Sequence, residues 1–280
     1  MIIWLASYPK SGNTMLRALL TSYFFTKDGN FNFDLLRMID QFPNIKIFKE
    51  LGIDLSKKSE VEKNYIEAQK IINKKKDSLQ FWKTHNAFCK FENKYDFTDL
   101  ENTSGAIYIV RDPRNVIMSY SNHYQRTLIE SLNDLKSNIA IKQTINDNLP
   151  VLLGSWNFNY NSWKQLKKLD KYLLVKYEDL VKNTENVFEN VLNFIKKLSK
   201  SEFEINRSKI KKSIETTSFE RLKKLENEFG FSEAKTKKNG DKINFFNLGP
   251  DNKWEKSLEK SIKDEVEIVF SREMKELGYL

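Results

Sequence analysis

The chain opens on five consecutive apolar residues, Ile2-Ile3-Trp4-Leu5-Ala6, and passes at once into Ser7-Tyr8-Pro9-Lys10-Ser11-Gly12-Asn13, a stretch of turn-forming residues. From Thr14 to Phe25 apolar side chains recur at Met15, Leu16, Leu19, Leu20 and Tyr23, the spacing of one helix face. A strand that is apolar on both faces must be covered on both faces, and a helix following one short loop later is the usual cover. The pattern returns at Gly105-Ala106-Ile107-Tyr108-Ile109-Val110, which Arg111-Asp112-Pro113 breaks. Pro113 suits the first turn of a helix running to about Gln125, since its missing N–H is not needed there. Leu79–Thr84 and Tyr172–Lys176 read as two further strands. Helices are predicted over Ser59–Lys76, Trp156–Leu169 and Thr184–Lys197, and through the C-terminal third, ending in Leu258–Leu277. The fold class predicted is α/β: a central, mostly parallel β-sheet flanked by helices, as one domain over residues 1–280 that begins with a P-loop-like strand-loop-helix. In such sheets ligands bind beyond the carboxyl ends of the strands.

Composition narrows the partners. Lys plus Arg number 47 against 38 Asp plus Glu, a formal charge of +9. That charge permits nucleic acid, an anionic surface or a phosphorylated small molecule. Of the 47 cations, 39 are Lys and only 8 are Arg, the residue that grips phosphate and guanine with two parallel hydrogen bonds. The Lys residues are interleaved with acids, as on a solvated surface, so a nucleic-acid partner is not expected. No apolar run approaches the roughly 20 residues of a membrane-spanning helix, so no span is expected. The single cysteine, Cys89, cannot close an internal disulfide, and a cytoplasmic setting is the simplest. No His, Cys and Asp cluster has metal-ligand spacing, and no metal is expected.

Two loops carry the chemistry. In Tyr8-Pro9-Lys10-Ser11-Gly12-Asn13-Thr14 a strand enters a loop bearing Lys, Ser, Gly and Thr and then a helix, an arrangement that turns backbone N–H groups and one cation on an anion. It is not a Walker A loop, because Lys10 precedes the only Gly. An ordinary polar turn is the plainer alternative. Arg111 stands at the end of a second strand, and Ser119 follows eight residues later, about two helical turns on, so both can face one anion. Alternatively Arg111 and Arg114 pair with Asp112. On a strand, residues two apart share a face, so Lys83 and His85 point together and Thr84 points away.

Joined together, YPKSGNT (Tyr8–Thr14), KTH (Lys83–His85) and RDPRNVIMS (Arg111–Ser119) resemble the sulfotransferase family. The likeness continues through Val175-Lys176-Tyr177-Glu178-Asp179-Leu180, Thr217-Ser218-Phe219 and a Gly249…Trp254 block, in family order over nearly the whole chain. It implies 3′-phosphoadenosine 5′-phosphosulfate as sulfuryl donor. Lys10, Ser11, Gly12, Asn13 and Thr14 would hold the 5′-phosphosulfate, with Lys10 beside the bridging oxygen. Arg111 and Ser119 would bind the 3′-phosphate. Tyr177, Thr217 and Phe219 would line the adenine pocket, with Gly249 in the C-terminal donor block. His85 would be the catalytic base and Lys83 would help at the sulfuryl group; an ordinary histidine, with a pKa of about 6.5, suits that task near neutral pH.

The chain departs from the family pattern at two places. Met15 stands where cytosolic members usually carry an adenine-stacking Trp. Asn247-Leu248-Gly249 replaces Arg-Lys-Gly, so that Lys242 or Lys253 would have to supply the missing cations. His123 is a second-rank candidate for the base, and Cys89 is read as packing. The resemblance thus implies in-line sulfuryl transfer to an acceptor hydroxyl on a small molecule, a glycan or a lipid. The rivals are a P-loop-type kinase, which lacks the Walker A order, and a basic binding module without catalysis. The acceptor wall is expected in Thr26–Asp77 and Thr127–Gly154.

Overall fold

The computed structural model of the chain describes residues 1–75, 80–138, 149–236 and 240–280. Lys76, Asp77 and Leu79, at the ends of predicted segments, and residues 139–148 of the expected acceptor wall lie outside the described residues.

Four strands, β1 (Ile2–Ser7), β2 (Gln80–Thr84), β3 (Thr103–Val110) and β4 (Tyr172–Lys176), form one sheet in the order β2-β1-β3-β4. Every neighbouring pair is parallel, with Leu5 opposite both Lys83 and Ile107. The chain passes from β1 outward to β2 and then returns to the other side of β1, so the order reverses at β1 and β3. A crevice opens beyond the carboxyl ends at such a reversal.

The unbroken apolar run of β1 has its explanation in the two cores. Ile2, Trp4 and Ala6 join Ala106, Tyr108 and Val110 on one face, while Ile3 and Leu5 join Ile107 and Ile109 on the other. Helix α1 (Asn13–Phe25) covers the second face with Leu16, Leu19 and Leu20. Helix α2 (Pro113–Tyr124) covers the first with Val116, Ile117 and Tyr120. Asp112 caps α2 by accepting from Arg114 N at 2.9 Å, ahead of Pro113 in the first turn. Helix α3 (Trp156–Lys164) brings Trp156, Tyr160 and Trp163 into the first core, and α4 (Thr184–Ser199) brings Phe188, Val191, Leu192 and Ile195 into the second. Truncating one of these fully buried leucines, such as Leu19, would cost about 2–5 kcal/mol.

The sequence reading and the structure part in several places. The helix predicted over Ser59–Lys76 is two, Lys58–Lys63 and Tyr65–Lys75, because Asn64 between them turns its side-chain amide back to the Glu60 carbonyl at 2.7 Å. The helix predicted to Leu169 tightens into a 3₁₀ turn over Gln165–Leu169, which Asp170 ends in the left-handed region at φ 56°. Between Thr26 and Ser59, where no element is predicted, the chain holds a 3₁₀ turn at Phe33–Met38 and a helix at Ile45–Glu50, each capped by an Asn side chain. Two-residue antiparallel ladders, Lys90–Phe91 with Tyr95–Asp96 and Lys235–Thr236 with Lys242–Ile243, are too short to leave a periodic trace in the sequence.

The last residues close back on the sheet. Arg114 donates to the Tyr279 carbonyl at 2.8 Å, and the Tyr279 hydroxyl donates to Glu178 at 2.9 Å. Lys176 donates to the Leu277 carbonyl at 2.7 Å. Among the described residues no helix is long and apolar enough to cross a membrane.

Candidate active site

A cavity of about 1450 Å³ lies at the carboxyl ends of β1, β2 and β3. The loop after β1, the end of β2, the turn after β3 and residues 229–236 and 245–249 all contribute to its lining.

The first loop is bent sharply enough to use two residues in the left-handed region. Lys10 has φ 65° and Gly12 has φ 100°. A Cβ on Gly12 would lie 2.4 Å from Tyr177 Cδ2, so only glycine lets the loop pass this ring. Gly12 is also the N-cap of α1 and offers no side-chain oxygen, which leaves first-turn N–H groups of α1 without a side-chain cap. Nearby, the buried Ser11 Oγ and Asn13 Oδ1 have no hydrogen-bond partner among the described residues. Buried polar atoms are rarely left unpaired, and this pair beside an open helix start fits a polar ligand. The Lys10 ammonium lies 3.8 Å from the centre of the Phe245 ring. Burial lowers its pKa to about 7, against the pull of Glu233 and with Lys83 and Arg111 nearby.

His85 is held from behind. Its Nδ1 lies 2.8 Å from the Ser7 carbonyl, an acceptor only, so Nδ1 carries the proton and Nε2 the lone pair. Asn13 Nδ2 donates to Ser7 Oγ at 3.1 Å and to the Leu5 carbonyl at 2.9 Å, tying loop, strand end and imidazole together. Burial first, then the Lys83 charge, lowers the His85 pKa to about 3. The ordinary histidine pKa expected from the sequence therefore does not hold at this position. The ring is neutral throughout the physiological range because it sits dry and among cations. Lys83 shares its face of β2 and is 5% exposed. Its ammonium lies 3.4 Å from Glu233, whose other oxygen lies 2.6 Å from Arg17. These two cations hold the Glu233 carboxyl well below the usual carboxylate range, against the effect of burial.

The far end of the cavity is simpler. Arg111 lies 4.2 Å from the centre of the Tyr177 ring and donates to the Gly249 carbonyl at 3.0 Å, while its buried Nε has no partner among the described residues. Ser119, half-buried on α2, lines the same space, as do Phe219 and Gly249. Gly249 has φ 53°, and a Cβ there would meet the Phe219 ring at 2.2 Å. The two alternatives for the arginines divide between them. Arg114 takes Asp112 at 2.6 Å and Glu267 at 2.6 Å with its guanidinium over the Trp254 ring, while Arg111 faces the cavity.

Lys10, Gly12, Asn13, Thr14, Lys83, His85, Arg111, Ser119, Tyr177, Phe219 and Gly249 are thus brought together, and Met15 lines the cavity beside them. Ser11 and Thr217 are not in the lining; Ser11 is enclosed behind Lys10 and Gly12, and the Thr217 hydroxyl donates to the Ser213 carbonyl at 2.7 Å. Lys242 and Lys253 are exposed and outside the lining, so neither fills the place of the missing Arg and Lys. The cation beside Asn247 is instead Lys223, which donates to the Asn247 carbonyl at 3.1 Å. His123 does reach the cavity, edge-on to Tyr124 and Phe245, and burial among cations lowers its pKa to about 2. Cys89 is half-buried, and burial pushes its thiol up to about 12. Among the described residues no three His, Cys, Asp or Glu side chains group to hold a metal ion.

Sequence reasoning missed Arg17 and Glu233. Arg17 left a trace, a lone charge inside the apolar run Met15-Leu16-Arg17-Ala18-Leu19-Leu20. Glu233 left none, since it stands in a polar segment without periodicity.

Comparison with known proteins gives a consistent result. A family model described as "Sulfotransferase domain" matches residues 2–278. Sulfotransferase 2A1 of Rattus norvegicus is 32% identical over 101 residues, covering 35% of this chain and 34% of that protein. The matched stretch thus spans about a third of the length of the curated relative. Among solved structures, mouse sulfotransferase SULT7A1 complexed with PAP superposes with a TM-score of 0.57 at 19% identity, covering 98% of this chain and 84% of that one. Retinol dehydratase in complex with androsterone and inactive cofactor PAP superposes with a TM-score of 0.59 at 14% identity, covering 98% and 80%. At these identities the structural likeness speaks for the fold.

Proposed function

The chain belongs to the sulfotransferase domain family, and from that premise we propose that it moves a sulfuryl group from 3′-phosphoadenosine 5′-phosphosulfate to an acceptor hydroxyl, with His85 as general base. The observation that carries the reading is the convergence of Lys10, Lys83 and the lone-pair nitrogen of His85 at one end of a single cavity, with Arg111 at the other.

The donor fits the groups left over. The unpartnered Asn13 Oδ1 and Arg111 Nε belong to residues that line the cavity, and the family likeness assigns these residues to the 5′-phosphosulfate and the 3′-phosphate. The Tyr177 ring lies against both Gly12 and Arg111, and the Phe219 ring lies against Gly249. In the transfer the acceptor oxygen forms a bond to sulfur as the bond from sulfur to the 5′-phosphate oxygen breaks. The acceptor proton passes to His85 Nε2, and adenosine 3′,5′-bisphosphate leaves with the bond's electron pair. Negative charge grows on the departing phosphate, where Lys10 and the loop N–H groups meet it. Lys83 offsets charge on the sulfuryl oxygens. A base with a pKa of about 3 is weak, but an anionic donor beside it favours the imidazolium and strengthens the base when it is needed.

The test is calorimetry with adenosine 3′,5′-bisphosphate against ATP–Mg²⁺, paired with mass spectrometry of acceptors incubated with the sulfuryl donor. The reading expects binding of the bisphosphate and sulfated products. Preference for ATP–Mg²⁺, or no affinity for the bisphosphate, overturns it.

A further inference from the structure

Four residues at the reacting end have no part in donor binding as proposed: Arg17, Glu233, Asp40 and Gln41. All four line the cavity. Lys83 N donates to the Asp40 carbonyl at 2.9 Å, and Phe42 N donates to the Lys83 carbonyl at 2.8 Å, so the Asp40–Phe42 segment runs along the end of β2. Arg17 braces the same wall by donating to the Leu36 and Ile39 carbonyls at 3.0 and 2.9 Å. The Glu233 carboxylate comes in from the opposite wall, pinned by Arg17 and Lys83 yet with its side chain 29% exposed.

This is an awkward floor for an apolar acceptor. An ionised carboxylate offers about four lone-pair sites, and two cations occupy only part of them. Covering the remainder with hydrocarbon removes water without replacing its hydrogen bonds. The buried Arg17 Nε, also without a partner among the described residues, would be sealed as well. A molecule with adjacent hydroxyls avoids that loss, because its O–H groups donate to the free carboxylate positions. The rest of the wall suits such a molecule. Phe33 and Phe231, packed ring on ring with 4.6 Å between centres, add apolar surface for a C–H face to a lining that also holds Gln41 and Asp40.

We propose that the acceptor is a polyhydroxylated, carbohydrate-like molecule that presents one hydroxyl to His85 while a neighbouring hydroxyl donates to Glu233, with Asp40 receiving another. The proposal rests on the sulfuryl-transfer reading above and narrows its acceptor. It sets this cavity apart from that of the retinol dehydratase whose solved complex holds androsterone.

The experiment supplies the sulfuryl donor at saturation to methyl glycosides and short unsulfated oligosaccharides, with androsterone and 4-nitrophenol as apolar arms. Sulfated product is read by mass spectrometry. The expected result is a kcat/KM for at least one glycoside about tenfold or more above either apolar arm. In Glu233→Gln and in Asp40→Asn the ratio of glycoside to 4-nitrophenol kcat/KM falls about tenfold, a shift that a general loss of fold or of Lys83 would not produce. Thermal shift with adenosine 3′,5′-bisphosphate reports folding of each variant, and Asp40→Asn carries the test if Glu233→Gln does not fold. If the bisphosphate binds but the apolar arms are preferred, or no hydroxylated arm reacts, or neither variant moves the ratio, the acceptor proposal falls and the donor reading stands. If the bisphosphate does not bind, both fall.

Discussion

The two ends of the cavity are built on different principles. At the reacting end, Lys10, Lys83 and Arg17 surround one carboxylate, Glu233, and two imidazoles are kept neutral by burial among them. At the other end, Arg111 is the one cation in the lining among the described residues, and Asn247 and Leu248 occupy the positions where the family pattern has Arg and Lys. The difference teaches where binding free energy is concentrated. Charge gathered where the leaving group develops its own charge lowers the barrier, whereas charge at a remote phosphate mainly sets how tightly the donor is held. This chain keeps the first arrangement full and the second sparse.

The sharpest way to separate the ends is His85→Ala. It should lower kcat about 10²–10⁴-fold while leaving the Kd for adenosine 3′,5′-bisphosphate within about threefold of wild type. Near-wild-type turnover would remove His85 as the base and turn attention to His123. The next largest contrast is between the lysine and the arginine. Arg111→Ala removes the lone cation of its end and should weaken bisphosphate binding by about 2–4 kcal/mol, roughly thirtyfold to a thousandfold. Lys10→Ala, with Lys83 and Arg17 close by, should cost less, about tenfold. Equal losses in calorimetry would mean that the two ends share the load.

A smaller effect distinguishes the ends by pH. With the Lys10 pKa lowered to about 7 by burial, most of these amines are neutral at pH 8, and an anionic ligand draws the proton back. Binding should therefore take up close to one proton at pH 8, and affinity should fall as pH rises above 7, by at most about tenfold per unit. Calorimetry in buffers of different ionisation enthalpy measures that uptake, and Lys10→Ala should abolish it. The smallest effect is a gain. Leu248→Arg, at an exposed position, should tighten bisphosphate binding about three- to fivefold at low salt, with the gain shrinking as salt rises.

The same division governs what could be read from the sequence. Lys10, Gly12, Arg111 and Ser119 were legible because each follows an unmistakable apolar strand, and ligand sites lie beyond strand ends. His85 and Lys83 were legible because period-two alternation puts them on one face. The Arg17–Glu233 pair was not, because its members are 216 residues apart and nothing local at Glu233 announces a partner. Thr217 is a different case. Its motif suggests an adenine contact, and the structure keeps the residue out of the cavity lining with the hydroxyl donating to the helical carbonyl four residues back. Lys242 and Lys253 were nominated by proximity in sequence to Asn247, whereas the cation found there, Lys223, comes from the preceding helix (Phe219–Phe229).

The closure of Tyr279 onto Arg114 and Glu178 also bears on how the protein is made. Glu178 accepts from Asp112 N at 3.0 Å, so the turn that aims Arg111 is braced by a carboxylate that the Tyr279 hydroxyl in turn holds. During synthesis at about 5–20 residues per second, the loop after β1 can meet its strand neighbours long before residue 279 leaves the ribosome. The Arg111 end cannot be braced until then. A nascent chain stalled before that point should thus show a formed sheet and an unbraced Arg111 turn, and the brace should form only once residue 279 has emerged.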